Sequence, residues 1–233
     1  MSEPEPLSTR QLAKLLYAMG RTFDGLESTF TATEEFLHTG NPNVLVSKAD
    51  YNLLLDLRQS ADYTSHYDYA HRPIDLEFIK GINAQLTRTA AIDPGKLRDK
   101  HSPVSVSTPL GRYEPPVPDP GAITTLVENT TLVENTTRRK EDGDLTRAVS
   151  LFAGLARMQP FGDGNKRTAL LTANGLLIAA HNRQSLTVPT SDEDRTWFNR
   201  ELAAYYLCED RTIISHLAMW NRRQADHSDQ LCS

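Results

Sequence analysis

Gln159-Pro160-Phe161-Gly162-Asp163-Gly164-Asn165-Lys166-Arg167-Thr168-Ala169 lies between two segments of helical spacing. Upstream, Leu145, Val149, Phe152, Ala153 and Ala156 recur on one face as far as Met158; downstream, roughly Asn165 to Ala180 reads as a second helix. A glycine-bearing turn followed by a new helix N-terminus leaves backbone N–H groups unpaired beside the positive end of a helix dipole, which suits an anion. Gly162 and Gly164 let the backbone approach a phosphate with no Cβ in the way. Asp163 is a hard oxygen ligand suited to a Mg²⁺ ion that also touches substrate phosphates. Lys166 and Arg167 neutralise phosphate charge, and Asn165 either donates to an oxygen or caps the helix. The competing reading is a ligand-free αα-hairpin whose turn happens to be Asp-Gly-Asn.

Four more helices are predicted on the N-terminal side. Ser8 or Thr9 caps one carrying Leu12, Leu15, Leu16 and Met19, weakened at its far end by Gly20 and Gly25. Thr29 to Thr39 form another, stopped by Gly40-Asn41-Pro42. Ser47 starts a third, with Tyr51, Leu54, Leu55 and Leu57, running towards Tyr69; Pro73 opens a fourth, where Leu76, Ile79, Ile82, Asn83 and Leu86 recur. Seven prolines then interrupt the stretch from Asp93 to Pro120. Within it Val104-Ser105-Val106-Ser107 alternates apolar and polar, and Pro109-Leu110-Gly111 supplies a turn before Arg112-Tyr113, so a linker and a two-stranded hairpin both fit. The unit TLVENT occurs twice in tandem, from Thr125 and from Thr131. Two copies of six residues cannot build a solenoid, and the repeat reads as a duplication lengthening a helix end or loop. C-terminal helices, over about residues 191–223, carry Trp197, Leu202, Tyr205 and Tyr206, then Ile213, Ile214, Leu217 and Trp220, as core rather than as a stacking platform.

The 233 residues suffice for one substantial core without covalent staples, and residues 1–233 read as a single domain. A net charge of −5 argues against a broad basic surface for nucleic acid, and the run Arg138-Arg139-Lys140 is too short to change that. Cys208 and Cys232 are the sole cysteines, which excludes a disulfide framework and fits a reducing compartment. The most apolar stretch, Thr168 to Ala180, is shorter than the roughly 20 residues a membrane span needs. The first residues, Met-Ser-Glu-Pro-Glu-Pro, lack the basic and apolar regions of a signal peptide. A soluble, cytoplasmic protein is expected, with neither nucleic acid nor membrane as partner.

In Phe161, Asp163, Gly164 and Asn165 the loop resembles the Fic signature, His-x-Phe-x-Asp/Glu-Gly-Asn. Two further segments are similar to that family in the right order. Asp93-Pro94-Gly95-Lys96-Leu97-Arg98, Val104-Ser105-Val106 and Tyr113-Glu114-Pro115-Pro116 resemble the approach to its β-hairpin flap. Glu27 to Glu35, ahead of Leu37-His38-Thr39-Gly40, resembles its N-terminal glutamate-bearing segment. The likeness covers most of residues 20–185, with a flap at about 102–116 and a motif loop at 159–170. It implies an all-α, Fic-like helical bundle with a small β-hairpin flap, binding ATP or another nucleoside triphosphate with Mg²⁺. Family members typically transfer AMP to a hydroxyl side chain of another protein. By position Asp163 would hold the metal, Asn165 and Arg167 the phosphates, and Phe161 would anchor the loop in the core. Val104, Ser105 and Val106 would align a target protein by strand addition.

Four positions depart from the family pattern. Gln159 stands where the family has its catalytic histidine, and an amide has no useful basicity near neutral pH; losing a positioned base typically costs about 10²–10⁴-fold. Gln159 keeps the capacity to hydrogen-bond and orient a nucleophile. Leu170 sits where many members place a second arginine, so Glu27, at the position of an inhibitory glutamate, lacks its cation and reads as a solvated helix-end carboxylate. Phe23 replaces the usual Ser or Thr of that segment, and Lys166 replaces a glycine, as in the phosphate-transferring relative Doc. The functions this implies are an adenylyltransferase of weak or altered activity, a nucleotide-binding regulator without turnover, or a Doc-like phosphotransferase. An already ionised nucleophile, or His101 as substitute base, would make the first chemically sensible.

Overall fold

The computed structural model describes residues 8–89, 93–131 and 140–230. Helix starts follow side-chain caps. Ser8 caps α1 (Thr9–Phe23) in a reciprocal capping box with Gln11, Thr29 caps α2 (Phe30–Thr39), and Ser47 caps α3 (Lys48–Ser65). Gly40, in the left-handed region at φ 72°, ends α2 and leads into a 3₁₀ turn, Pro42–Val44. α4 is Leu76–Asn83, later and shorter than the reading from Pro73 to Leu86. Asp75 accepts the Phe78 N–H at 2.9 Å, and this side-chain cap rather than the proline sets the start. α5 (Pro120–Thr131), α6 (Lys140–Met158), α7 (Asn165–Ala179), α8 (Asp192–Cys208, capped by Ser191) and α9 (Thr212–Gln230) complete the helices. The first TLVENT copy lies in α5; the second lies mostly outside the described residues.

The proline-rich stretch forms the hairpin, not a linker. β1 (Val106–Thr108) pairs antiparallel with β2 (Gly111–Tyr113) in the register Val106 to Tyr113 and Thr108 to Gly111. Val104 and Ser105 precede the strand rather than belonging to it. The turn is closed by Thr108, whose hydroxyl donates to the Gly111 carbonyl at 2.6 Å and accepts the Leu110 N–H at 3.2 Å.

α7 is the central post of an all-α bundle, packed against α6, α3, α4 and α1. From Arg167 to Leu177 it is buried all round, as expected of a helix surrounded by others rather than lying on a surface. Close approach requires small residues there: a Cβ on Gly175 would stand 2.7 Å from the Phe78 ring of α4. α5, α8 and α9 cover the remaining faces of α6, with Phe152 stacked on Phe198. Trp197 and Trp220 are half-buried and pack on this core. Among the described residues no helix is long and apolar enough to cross a membrane.

Candidate functional site

The loop between α6 and α7 is held by its own atoms. Asn165 accepts the Phe161 N–H at 2.8 Å and donates to the Phe161 carbonyl at 2.9 Å, so its amide staples the turn and does not cap α7. Phe161 is fully buried, and Leu97 forms an isolated antiparallel bridge with it. Gly164 is the N-cap at φ 73°, and a Cβ there would meet Leu86 at 2.3 Å and Asn83 at 3.2 Å. Glycine at 164 is therefore demanded by backbone and packing, besides any ligand.

Three residues outside the loop fix it in place. Buried Asn83 of α4 donates to the Asp163 carbonyl at 3.1 Å and to the Thr168 hydroxyl at 3.0 Å, and accepts the Gly95 N–H at 2.8 Å. Arg98, also buried, has no carboxylate partner among the described residues. It donates from Nε to the Gln159 carbonyl at 2.6 Å and from its amino nitrogen to the carbonyls of Pro115, at 3.3 Å, and Pro116, tying loop to flap. Asp56, fully enclosed in α3, accepts the Thr89 N–H and hydroxyl, both at 2.8 Å. The same hydroxyl accepts from Arg167 at 2.7 Å.

Arg167 is 3% exposed, with all three guanidinium nitrogens engaged. Besides Thr89 it faces Asp163 Oδ2 and Asp24 Oδ1, each at 3.4 Å. Asp24, the C-cap of α1, is the carboxylate the sequence reading missed; its position after Phe23 and before Gly25 was the available signal. Its side chain is only 21% exposed, although the residue as a whole lies at the surface. Desolvation pushes its carboxyl up to about 6, with Asp163 adding to the rise and Arg167 and Lys166 opposing it. Glu27 is exposed and lies between α1 and α2 rather than at a helix end.

These groups line two adjoining cavities. One, of about 170 Å³, is bounded by Phe23, Asp24, Ser105, Gln159 and the loop from Gly162 to Arg167. The other, of about 460 Å³, shares Asp24, Asp163 and Arg167 and extends past Glu27, Asp50 and Thr89. Of the flap residues expected to dock a target, Ser105 reaches the smaller cavity, and Val104 and Val106 line neither. Gln159 is 6% exposed and left-handed at φ 45°, a conformation uncommon outside glycine. Its amide donates to the Ala156 carbonyl at 2.6 Å. Behind it stands the enclosed Tyr206, held well above the ordinary phenol range by burial, with the Tyr113 ring of the flap 5.2 Å away. The Lys166 ammonium lies 5.3 Å from the centre of the Phe23 ring. Enclosure lowers its proton affinity, Arg167 lowers it further, and Asp24 and Asp163 oppose the change.

Residues 73–177, from the approach to α4 to near the end of α7, match the sequence model described as the Fic/DOC family. That segment, and not the whole chain, is similar to the Fic/DOC family. The motif loop, the flap, α6 and all but the last two residues of α7 fall inside this matched segment, whereas Asp24 and Glu27 lie outside it. Solved structures with Fic domains share the fold. A Fic domain containing signaling protein from Bacteroides thetaiotaomicron aligns with TM-score 0.67 and 19% identity over 92% of this chain and 85% of that one. A Fic family protein from Desulfovibrio desulfuricans aligns with TM-score 0.69 and 17% identity, over 95% of this chain and 66% of that one. Fic-1 from C. elegans, residues 134–508, aligns with TM-score 0.62 and 17% identity over 95% of this chain and 63% of that one. No curated protein matches the sequence.

Proposed function

We propose that the two cavities together bind a nucleoside triphosphate and that the domain is, by ancestry, a protein adenylyltransferase of weak or altered activity. The observation that carries this reading is the start of α7. No side chain caps it, its first turn borders the 170 Å³ cavity, and Arg167 and Lys166 stand beside it. Such an end attracts phosphate through its N–H groups and its dipole. Gly162, Gly164 and Asn165 shape the backbone there; Arg167 supplies the fixed cation.

Among the described residues no cluster of three His, Cys, Asp or Glu side chains forms a metal cage. Mg²⁺ is usually held by one or two carboxylates together with substrate phosphates. Asp163, with its side chain 44% exposed, is the carboxylate that would hold the ion and neutralise phosphate charge. A target protein would dock along the flap, with Ser105 nearest the reacting atoms.

Isothermal calorimetry tests the reading. Mg²⁺–ATP should bind the wild type, and Asp163→Ala combined with Arg167→Ala should abolish binding. A wild type silent at millimolar ATP would reduce the loop to a helix turn. Binding without turnover is the second reading, favoured by the Gln159 amide, whose N–H is committed to the Ala156 carbonyl. No comparable observation favours Doc-like phosphate transfer.

A further inference from the structure

Attack by a neutral hydroxyl needs a proton acceptor, and an amide at 159 is not one. His101 does not fill the gap: it is exposed and lines neither cavity. Lys166 is placed differently. It lines the smaller cavity together with Gln159, the flap residue Ser105 and Asp163, so Lys166, the position of the missing base and the docking residue border the same space. Its Nζ packs over the Phe23 ring and forms no ion pair among the described residues. The charged groups facing it are Asp24 from the end of α1, and Asp163 and Arg167 from the loop and the first turn of α7. Burial lowers its proton affinity, toward the neutral amine that a base requires, against the opposing pull of Asp24, Asp163 and the Phe23 ring face. Phe23 supplies the apolar wall.

We propose that Lys166 is the general base of this site, taking over the role that Gln159 cannot perform. The proposal rests on the nucleoside triphosphate reading above. In the step, the acceptor hydroxyl oxygen forms a bond to the α-phosphorus while the bond from that phosphorus to the pyrophosphate oxygen breaks. The hydroxyl proton passes to the neutral Nζ of Lys166, and pyrophosphate leaves with the electron pair. The ammonium so formed stands beside Arg167, next to the departing charge. Phosphate binding in the ground state stays with Arg167 and the first turn of α7.

The test is transfer of label from α-labelled ATP, with Mg²⁺ and cleared lysate as acceptor, by the full chain, its Lys166→Arg variant and the Lys166→Arg/Gln159→His double variant. Arginine keeps the cation but cannot accept a proton at accessible pH. A base role predicts loss of transfer by about 100-fold or more in Lys166→Arg, with Mg²⁺–ATP affinity by calorimetry changed less than about threefold. It also predicts a wild-type rate that rises with pH through a single titration, and recovery of transfer in the double variant, whose histidine restores a base. A Lys166→Arg variant that remains active marks Lys166 as a phosphate ligand and overturns the proposal, as does a double variant that stays inactive. A wild type that binds Mg²⁺–ATP but transfers no label overturns the base assignment alone; failure to bind overturns the nucleotide reading with it.

Discussion

Asp24 and Arg167 contain most of the site's electrostatics. Arg167 is anchored by a relay in which buried Asp56 orients the Thr89 hydroxyl and that hydroxyl accepts from the guanidinium. Asp24 approaches the same guanidinium from the end of α1, yet loss of water outweighs the attraction and raises its carboxyl from 3.8 to about 6. The folded protein therefore holds this proton more tightly than the unfolded chain. The associated stability is fully present below pH 3.8 and is lost as pH rises through about 6. Asp24→Asn, which is close in shape and cannot ionise, should remove that slope. Thermal unfolding should give the two proteins similar Tm values near pH 3.5 and a Tm advantage for Asp24→Asn that grows to a plateau above about pH 6. Parallel Tm profiles across this window would show that Asp24 titrates as an ordinary surface acid.

At the scale of elements, the motif loop is positioned chiefly from outside itself. α4 enters through Asn83, which satisfies groups on both sides of Gly164 and also the Gly95 N–H. Arg98 joins the Gln159 carbonyl to the base of the flap, so loop and hairpin share one buried cation. Asn83→Ala should destabilise the domain by about 2–3 kcal/mol, because buried polar groups left without partners cost about 1–3 kcal/mol each. The shift should appear as a lower urea midpoint with an unchanged slope. A change within about 0.5 kcal/mol would mean that water replaces the amide and that the loop holds itself. Asn83 is legible in the sequence only as a member of an apolar helical pattern. The two loop atoms it bonds lie 80 and 85 residues away in the chain, and no local spacing encodes that.

For the molecule as a whole, the distribution of burial sets a gradient of stability. α7 is enclosed by α1, α3, α4 and α6, while the two-stranded flap touches the body mainly through Tyr113, Val106 and the Arg98 tie. An isolated two-stranded ribbon is marginal in water. Hydrogen exchange should therefore find the amides of Leu170 to Leu176 protected to the level of global unfolding, and those of Val106 to Tyr113 exchanging through local opening. Equal protection of flap and post would require a flap packed far more tightly than its half-buried side chains allow.

The helical class, the helix starts near Ser8, Thr29 and Ser47, and the glycine-bearing turn before α7 were determined by the sequence alone. Each rests on interactions within a few residues, where periodicity and side-chain chemistry suffice. The hairpin lay between: alternation and turn residues permitted it without excluding a linker, and the pairing of Val106 with Tyr113 decided it. The partners of Arg167, the clamp made by Arg98 and Asn83, and the shared cavity of Lys166 and Gln159 were decided only by tertiary structure. Each joins segments far apart in the chain, and its energy depends on burial that exists only once the helices around α7 have packed.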